Sequence, residues 1–473
     1  MSQQQQNDDD IPRIFTLDQI NQVIQNPGSD SVGGCGEGSP SSSSSSSSPS
    51  LCFEDKLLVA MEYGFEQFEK NLFYAAPIQT LGLRPYPFSI INSSSANGHD
   101  GDSGGRDEEE EAGNAADAKK KREYTSQTCV KSGYFLNNKY YVIKVATGGT
   151  PFPSNWGCMQ VYSQYDGKLQ AILLDHGILT EIRTACVGAL AAKYLAPQNT
   201  TRPHVRKIGI LGCGIQARYQ LHYLQKVHKN VVPTNINQVD VIIWGRNPNK
   251  VNKLIEEILQ EKKTSSEAPF WNSITSVPHP NDLLLECELI ITTTSSTKPL
   301  LGVTTTNDDN GDGDNNKYSE SSDFWKQFER KIKQDGLHIT CIGSDAPGKC
   351  EVCPTFIKRY GDLCVADTLE QSQTRGEFQY ILQDNDTSDQ DSKNTTTPKF
   401  ISLGELLLDK STYQRRPEND HRVTIFDSSG VALQDCIISE ITYEALLEMK
   451  ATRTTTRTTT TANSSNKRQK TST

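Results

Sequence analysis

The run KIGILGCGIQA, Lys207 to Ala217, constrains the fold more than any other stretch of the chain. An apolar strand pattern leads straight into Gly212, Gly214 and Ala217. Gly212 permits a tight turn after the strand, Gly214 lets the backbone approach a pyrophosphate, and Ala217 allows a helix to pack closely on the strand. The helix N-terminus, at Ile215 and Gln216, offers unpaired N–H groups to phosphates. Two glycines alone are a weak signal, because a plain tight turn also explains them. Here a helix pattern follows, with Ala217, Leu221 and Leu224 on one face, so the stretch predicts a dinucleotide-binding strand–turn–helix unit.

From Arg206 onward the pattern keeps alternating. KIGILG, VDVIIWG, ELIITTT, LHITCIG, DLCVADT and VTIFDSS are near-continuous apolar runs, with helix patterns such as QARYQLHYLQKV and NKVNKLIEEIL between the early ones. Such strands indicate a parallel sheet covered on both faces, an α/β, Rossmann-type doubly wound domain spanning 185–430. Before it, FEDKLLVAMEYGFEQFEKNL reads as an amphipathic helix. KSGYFL, KYYVIKVAT, GCMQVYSQ and KLQAILLD read as an antiparallel meander with Asn-Asn and Asp-Gly turns. These form a first domain over 51–184, closed by a small-residue helix from Thr180, its expected N-cap, to Leu195. The segment IISEITYEALLEM (431–450 in the division) reads as a return to that first domain, which makes it discontinuous. Residues 1–50 and 451–473 are expected to be disordered or weakly structured, with one short helix pattern at Phe15 to Ile24 before a Gly/Ser linker.

Hydrophobic residues make up only 35% of the 473 residues, and the mean hydropathy is −0.57. Polar inserts at 92–123, 303–322 and 384–398 account for much of that dilution, since tracts this polar cannot bury a core. They also carry much of the acid behind the net charge of −10, which therefore says little about the site. KKKR at Lys119 to Arg122 and NKRQK near the C-terminus fit nuclear-import signals, but a solvated loop or tail is the plainer reading, since short basic runs are common in such segments. No aromatic interleaving suggests nucleic acid. No apolar run reaches the roughly 18 residues of a membrane span, and the N-terminus lacks a signal-peptide pattern. A soluble, cytoplasmic protein with reduced thiols is expected. Cys350 and Cys353 form CEVC without a second pair, which argues against a metal site.

Three places carry candidate chemistry. At the end of the second nucleotide-domain strand, IIWGRNPNK puts Arg246 where an acid for the ribose 2′-hydroxyl is usual. That favours NADP(H), with NAD(H) the alternative; an arginine in a solvent-facing turn is the plainer reading. GSDAPGK follows the strand LHITCIG, so Asp345 and Lys349 lie at the carboxyl end of a strand, where ligands of open sheets collect. A carboxylate there suits general acid/base work, although Asp-Ala-Pro-Gly is also good turn chemistry, and the residues alone leave both readings open. Lys144 and Arg183 precede the nucleotide domain and suit a substrate carboxylate or a cofactor phosphate, although taken singly each is more often a surface charge.

Taken together and in order, LLDHGILTEIRTACVGALAAKYLAP, IGILGCGIQARYQLHYL, TTTSSTKPLL, GSDAPGK and FDSSGVALQD resemble the ornithine cyclodeaminase and mu-crystallin family. The resemblance covers about Phe53 to Leu447. It implies a nucleotide-binding domain plus an α/β domain that dimerises and helps bind substrate. It also implies hydride transfer between NAD(P) and the α-carbon of an amino acid or its imine. A ketimine reductase or a cyclodeaminase converting ornithine to proline and ammonia fits best, with an amino-acid dehydrogenase or a non-catalytic NADPH-binding protein as alternatives. By the same resemblance Asp345 and Lys144 are catalytic, and Gln79, Lys144 and Arg183 contact substrate. Arg183, Thr184, Gly212, Gly214, Ile215, Gln216, Ala217, Arg246, Asn247, Thr294, Lys349 and Ser428 bind cofactor. In AAPIQT, Gln79 stands where the family usually has an arginine for the substrate carboxylate. A neutral amide supplies no charge there, and Arg84, five residues on, is the substitute the sequence offers.

Overall fold

The structure is a computed structural model that describes residues 12–25, 51–82, 127–148, 155–198, 205–231, 239–264, 271–303, 322–383, 398–417 and 419–469. Apart from edge residues, the three polar inserts lie outside these, as do Arg84 and the run KKKR.

The first domain opens with β1 (Arg13–Phe15), α1 (Leu17–Gln25), α2 (Phe53–Glu69), β2 (Phe73–Ala75) and β3 (Gln79–Gly82). The meander follows as β4 (Gln127–Phe135), β5 (Tyr140–Gly148), β6 (Asn155–Ser163) and β7 (Leu169–Leu173). The sheet runs β1-β7-β6-β5-β4-β2, with β3 also on β4; β4 to β7 are antiparallel, and β1 adds to β7 in parallel. Alternation sets its two faces. Val142, Lys144, Met159, Val161, Ala171 and Leu173 point inward, while Ile143, Val145, Tyr162 and Ile172 lie half-buried on the outer face.

The helix pattern at Phe15 to Ile24 corresponds to α1, but residues 12–25 are packed and not weakly structured: Arg13 to Phe15 extend the sheet edge and bury Phe15 fully, while Ile20 and Val23 of α1 bury beneath them.

α3 (Ile178–Leu195) joins the two domains. Its cap is Gly177 in the left-handed region, and the Asp175 carboxylate accepts the Leu179 N–H at 3.1 Å, so Thr180 lies inside the helix and not at its cap. The boundary expected at 184/185 falls within this helix, which packs on α2 and on the nucleotide-domain helix behind the glycine turn. Its Ala-rich surface is buried all round, which leaves no place for a division.

The second domain comprises β8 (Lys207–Leu211), α4 (Ile215–Val231), β9 (Val239–Trp244), α5 (Pro248–Thr264), β10 (Trp271–Ser276), α6 (Asp282–Glu286) and β11 (Leu289–Thr292). It continues through α7 (Ser322–Asp335), β12 (Leu337–Cys341), α8 (Pro354–Tyr360), β13 (Leu363–Ala366), α9 (Leu369–Arg375) and α10 (Gln379–Leu382). β14 (Lys399–Ser402), α11 (Leu403–Leu408), α12 (Lys410–Tyr413) and β15 (Val423–Asp427) complete it. All eight strands are parallel, in the order β10-β9-β8-β11-β12-β15-β13-β14. Every residue of β11, β12, β13 and β15 is buried, as a sheet covered on both faces requires. The chain leaves β8 toward β9 on one side and returns to β11 on the other. That reversal opens a crevice at the carboxyl ends of β8 and β11.

α13 (Ala432–Gln469) then crosses back and packs on α2 and the inner face of the first sheet. The tail expected to be disordered from 451 instead continues this helix to Gln469. A helix nucleated by packed residues propagates at little further entropy cost, even through threonines.

Candidate active site

The glycine turn sits at the crevice. Gly212 has φ +123°, and a Cβ there would stand 2.6 Å from Thr293 Oγ1, so glycine is required on both grounds. A Cβ on Gly214 would meet nothing within 4 Å, and Ile215 beside it is exposed. The turn therefore leaves open space in front of the α4 N-terminus, the arrangement that fits a pyrophosphate. Ala217 is fully buried. Gln216 turns toward α3, donating to the Glu181 carbonyl at 3.2 Å and to its carboxylate. Thr184, on the same helix, returns its hydroxyl to the Thr180 carbonyl at 2.7 Å. Arg246 is exposed two residues beyond β9, and the Asn247 side chain caps α5 by accepting from Asn249 N at 3.0 Å.

Two loops form the crevice wall. After β11, Thr294 N–H donates to Glu351; after β12, Gly343 N–H donates to the same carboxylate at 2.8 Å, and Thr292 Oγ1 at 2.6 Å. Glu377 in turn accepts the backbone N–H groups of Glu351 and Val352 at 2.9 and 2.7 Å. Burial, and then the Glu377 charge, push the Glu351 carboxyl up to about 7.

On the rim of this wall Asp345 keeps 57% of its side chain accessible and pairs with the less exposed Lys349. Its backbone carbonyl is clamped by Arg375 at 2.9 and 2.6 Å, while Gln379 holds Gly348 N and Lys349 O at 3.0 and 2.9 Å. Partial enclosure raises the Asp345 pKa, but attraction to Lys349, and beyond it to Lys131 and Arg375, outweighs this and holds the carboxyl below its usual value.

The first domain brings cations to the same place. Lys144 Nζ and Arg183 Nε both reach Asp435 Oδ1, at 3.0 and 3.1 Å, and Arg183 Nη1 donates to Gln434 Oε1 at 2.6 Å. Lys131 pairs with Lys144 across β4 and β5, is only 8% exposed, and donates to the Gly430 carbonyl at 2.6 Å. Burial first, then repulsion by Arg183 and Lys144, push the Lys131 ammonium down to about 8. Burial also lowers Lys144, partly offset by Asp435. Asp435 itself is lowered: burial raises it, but its three cations prevail.

Gly430 joins the halves. Its φ is +82°, a Cβ on it would come within 2.9 Å of Arg183 Nη1, and its N–H donates to Asp367 at 2.6 Å. Ser428, just before it, is buried with its hydroxyl 3.4 Å from Asp367 and its N–H on the Cys341 carbonyl at 3.0 Å.

The structure thus brings together Asp345, Lys349, Lys144, Arg183 and Ser428, with the glycine turn and Thr294 on the adjoining wall. Gln79 does not join them: it is exposed at the start of β3, in register with Val130, and alternation places it on the opposite face of the sheet from Lys131. The sequence reading missed Lys131, Glu351, Asp367, Arg375, Glu377, Gln434 and Asp435. Gln434 and Asp435 end the motif FDSSGVALQD, Asp367 sits in the run DLCVADT, and Glu351 follows GSDAPGK by two residues; nothing local marks the others. Every described cysteine is a free thiol, and the described residues hold no cluster of metal-ligating type. Among them, no helix is long and apolar enough to cross a membrane.

A parallel sheet with a glycine turn at its switch point, beside a second domain that delivers buried cations to the crevice, defines a two-domain dinucleotide-binding protein of the Rossmann type. Within that class the chain belongs to the ornithine cyclodeaminase/mu-crystallin family, whose model matches residues 134–306 and 327–450. An uncharacterised cyclodeaminase of Sinorhizobium fredii is 29% identical over 327 residues, covering 68% of this chain and 81% of that one. A Δ1-pyrroline-2-carboxylate reductase of Bacillus cereus is 25% identical over 276 residues, covering 58% and 67%. Among solved structures, an archaeal alanine dehydrogenase dimer with bound NAD superposes with a TM-score of 0.57 at 18% identity, covering 93% of this chain and 97% of that one.

Proposed function

We propose that the protein transfers hydride between NAD(P) and the α-carbon of an amino acid or its imine, as a ketimine reductase or an ornithine cyclodeaminase-like enzyme. The observation that carries this is the meeting of an accessible carboxylate, Asp345, with buried cations from the other domain beside the glycine turn. The nicotinamide ring supplies or accepts the hydride when bound. Lys144 and Arg183 bind and orient a substrate carboxylate. Asp345, ionised at neutral pH, accepts a proton from an ammonium nitrogen as the amino acid is oxidised, or faces a protonated imine as a counter-charge. Lys349 and Arg375 hold it in place. Gly212, Gly214 and the α4 N-terminus take the pyrophosphate, Thr294 and Ser428 flank the nicotinamide end, and Arg246 with Asn247 lies where an adenosine 2′-phosphate favours NADP(H). The similarity to the Bacillus cereus Δ1-pyrroline-2-carboxylate reductase and the Sinorhizobium fredii cyclodeaminase supports the same chemistry.

The half-buried outer face of the first sheet, with Ile143, Val145, Ile172 and the stacked pair Tyr141–Tyr162, is the surface for a homodimer. The deciding experiment incubates purified protein with NADPH or NADH and cyclic imines, and with NAD+ and ornithine while proline and ammonia are followed. Hydride transfer with any of these supports the reading. Cofactor binding without turnover across all of them rejects it in favour of a binding protein.

A further inference from the structure

The two fully buried carboxyls of the crevice wall, Glu351 and Glu377, have no part in the hydride-transfer reading. Two neighbouring acids are costly to bury, and apolar side chains would fill the same space at less expense to the fold. What they hold gives the reason for them. Thr294 N–H donates to Glu351 Oε1, while Gly343 N–H and the Thr292 hydroxyl donate to Oε2 at 2.8 and 2.6 Å. One side chain thus ties the loop after β11 to the loop after β12. The two loops are in contact, since a Cβ on Gly343 would collide with the Thr294 carbonyl. The first loop is anchored at the end of β8, just before the glycine turn, where Thr293 N–H donates to the Leu211 carbonyl at 2.8 Å. The second carries Asp345 two residues beyond Gly343, and between them the Ser344 hydroxyl donates to Glu377.

We infer that Glu351, supported by Glu377, is a positioning residue that fixes the nicotinamide end of the cofactor relative to Asp345. This rests on the hydride-transfer reading, which sets Thr294 beside the nicotinamide, but its binding test does not depend on turnover. An ionised carboxylate is an acceptor only, so it satisfies both backbone N–H groups at once. A glutamine of the same volume cannot do so. Whichever way its amide is turned, the NH2 group faces the N–H of Thr294 or that of Gly343, and one tie is lost. Glu351→Gln therefore loosens one loop against the other without opening a cavity.

Calorimetry on the purified protein would be run at about pH 8, above the folded Glu351 value of about 7, so that the wild-type carboxyl is ionised. It compares the better-bound of NADPH and NADH with the same molecule lacking nicotinamide, 2′-phospho-ADP-ribose or ADP-ribose. In Glu351→Gln the complete cofactor should bind about tenfold more weakly, the worth of one hydrogen bond to a charged group, while the fragment stays within about twofold. With any imine that the wild type reduces, single-turnover hydride transfer should slow by about a hundredfold, the cost of a misplacement of ~1 Å. Imine affinity should stay within about threefold, because Lys144 and Arg183, which hold the substrate carboxylate, are untouched. Amide exchange in the wild type covers the case in which the variant does not fold: residues 343–345 should gain protection together with 293–296 on adding the cofactor, and not with the fragment. Equal weakening of cofactor and fragment overturns the inference, because Glu351 would then support the domain as a whole. An unchanged hydride rate, or no cofactor-dependent protection at 343–345, overturns it as well. A loss confined to the complete cofactor, in a protein that reduces no imine, keeps the positioning role and rejects the reaction instead.

Discussion

Lys131→Met should make the protein more stable while damaging its site. The ordinary lysine value of 10.5 falls to about 8 in the folded chain. At about 1.36 kcal/mol per pH unit, this is a penalty of ~3 kcal/mol for keeping the ammonium charged in the fold. Methionine has similar length and volume and carries no charge. The variant loses the bond to Gly430, worth about 1 kcal/mol, but that carbonyl keeps its bond from Gln371 and is not orphaned. The net expectation is a gain of roughly 2 kcal/mol at pH 7. The pH dependence distinguishes this cause from generic repacking. Between pH 8 and 10.5 the unfolded chain holds a proton that folded Lys131 has released, so wild-type stability rises across that window. The groups facing Lys131 from other elements, Lys144, Arg183, Asp345, Asp367, Arg375 and Asp435, are the same in both proteins and cancel in the comparison to first order. Urea unfolding of both proteins at pH 7 and pH 10 is the assay: the gap should be about 2 kcal/mol at pH 7 and largely closed at pH 10. A variant less stable at pH 7, or a gap that ignores pH, would refute the reasoning.

Asp345→Asn is expected to lower single-turnover hydride transfer by roughly a hundredfold or more while NADPH affinity, measured by fluorescence titration, is kept; unchanged transfer removes Asp345 from the mechanism. Arg246→Ala should weaken NADPH and leave NADH nearly unaltered, and equal loss of both excludes a role in reading the 2′-phosphate. Glu351 has a folded value near 7 against an ordinary 4.5, so wild-type stability should decline as pH rises from 4.5 to 7, as the fold gives up the extra proton. Glu351→Gln removes that titration, and thermal unfolding midpoints across this range should then fall less steeply than in the wild type.

What the sequence disclosed followed from how local each signal was. The glycine turn and the apolar strands β8, β9, β11, β12, β13 and β15 were legible because turn geometry and burial on both faces are written in consecutive residues. β10, reading WNSITS, and β14, reading KFIS, escaped notice because they are edge strands, polar or short, with no apolar run to mark them. Asp345 and Lys349 were legible because a strand end places its loop. Lys131 was not, since in KSGYFL it is one polar residue at the start of a strand. Only its register with Lys144, together with α13 packed above them, makes it a buried cation. Gln79 shows the converse: a family pattern pointed to it, yet the pairing of β3 sends it away from the cluster.

Gly430 lies where the chain passes from β15 back to α13, and it touches both domains at once through Lys131, Arg183 and Asp367. The joint between the domains is therefore made of the same atoms as the site. An outward swing that kept Gly430 with the nucleotide domain would lengthen the 2.6 Å contact between Lys131 and the Gly430 carbonyl, freeing the ammonium as the mouth widens. An entering anion would meet that cation at its most available, and the latch would re-form behind it, tying admission of the ligand to closure of the molecule.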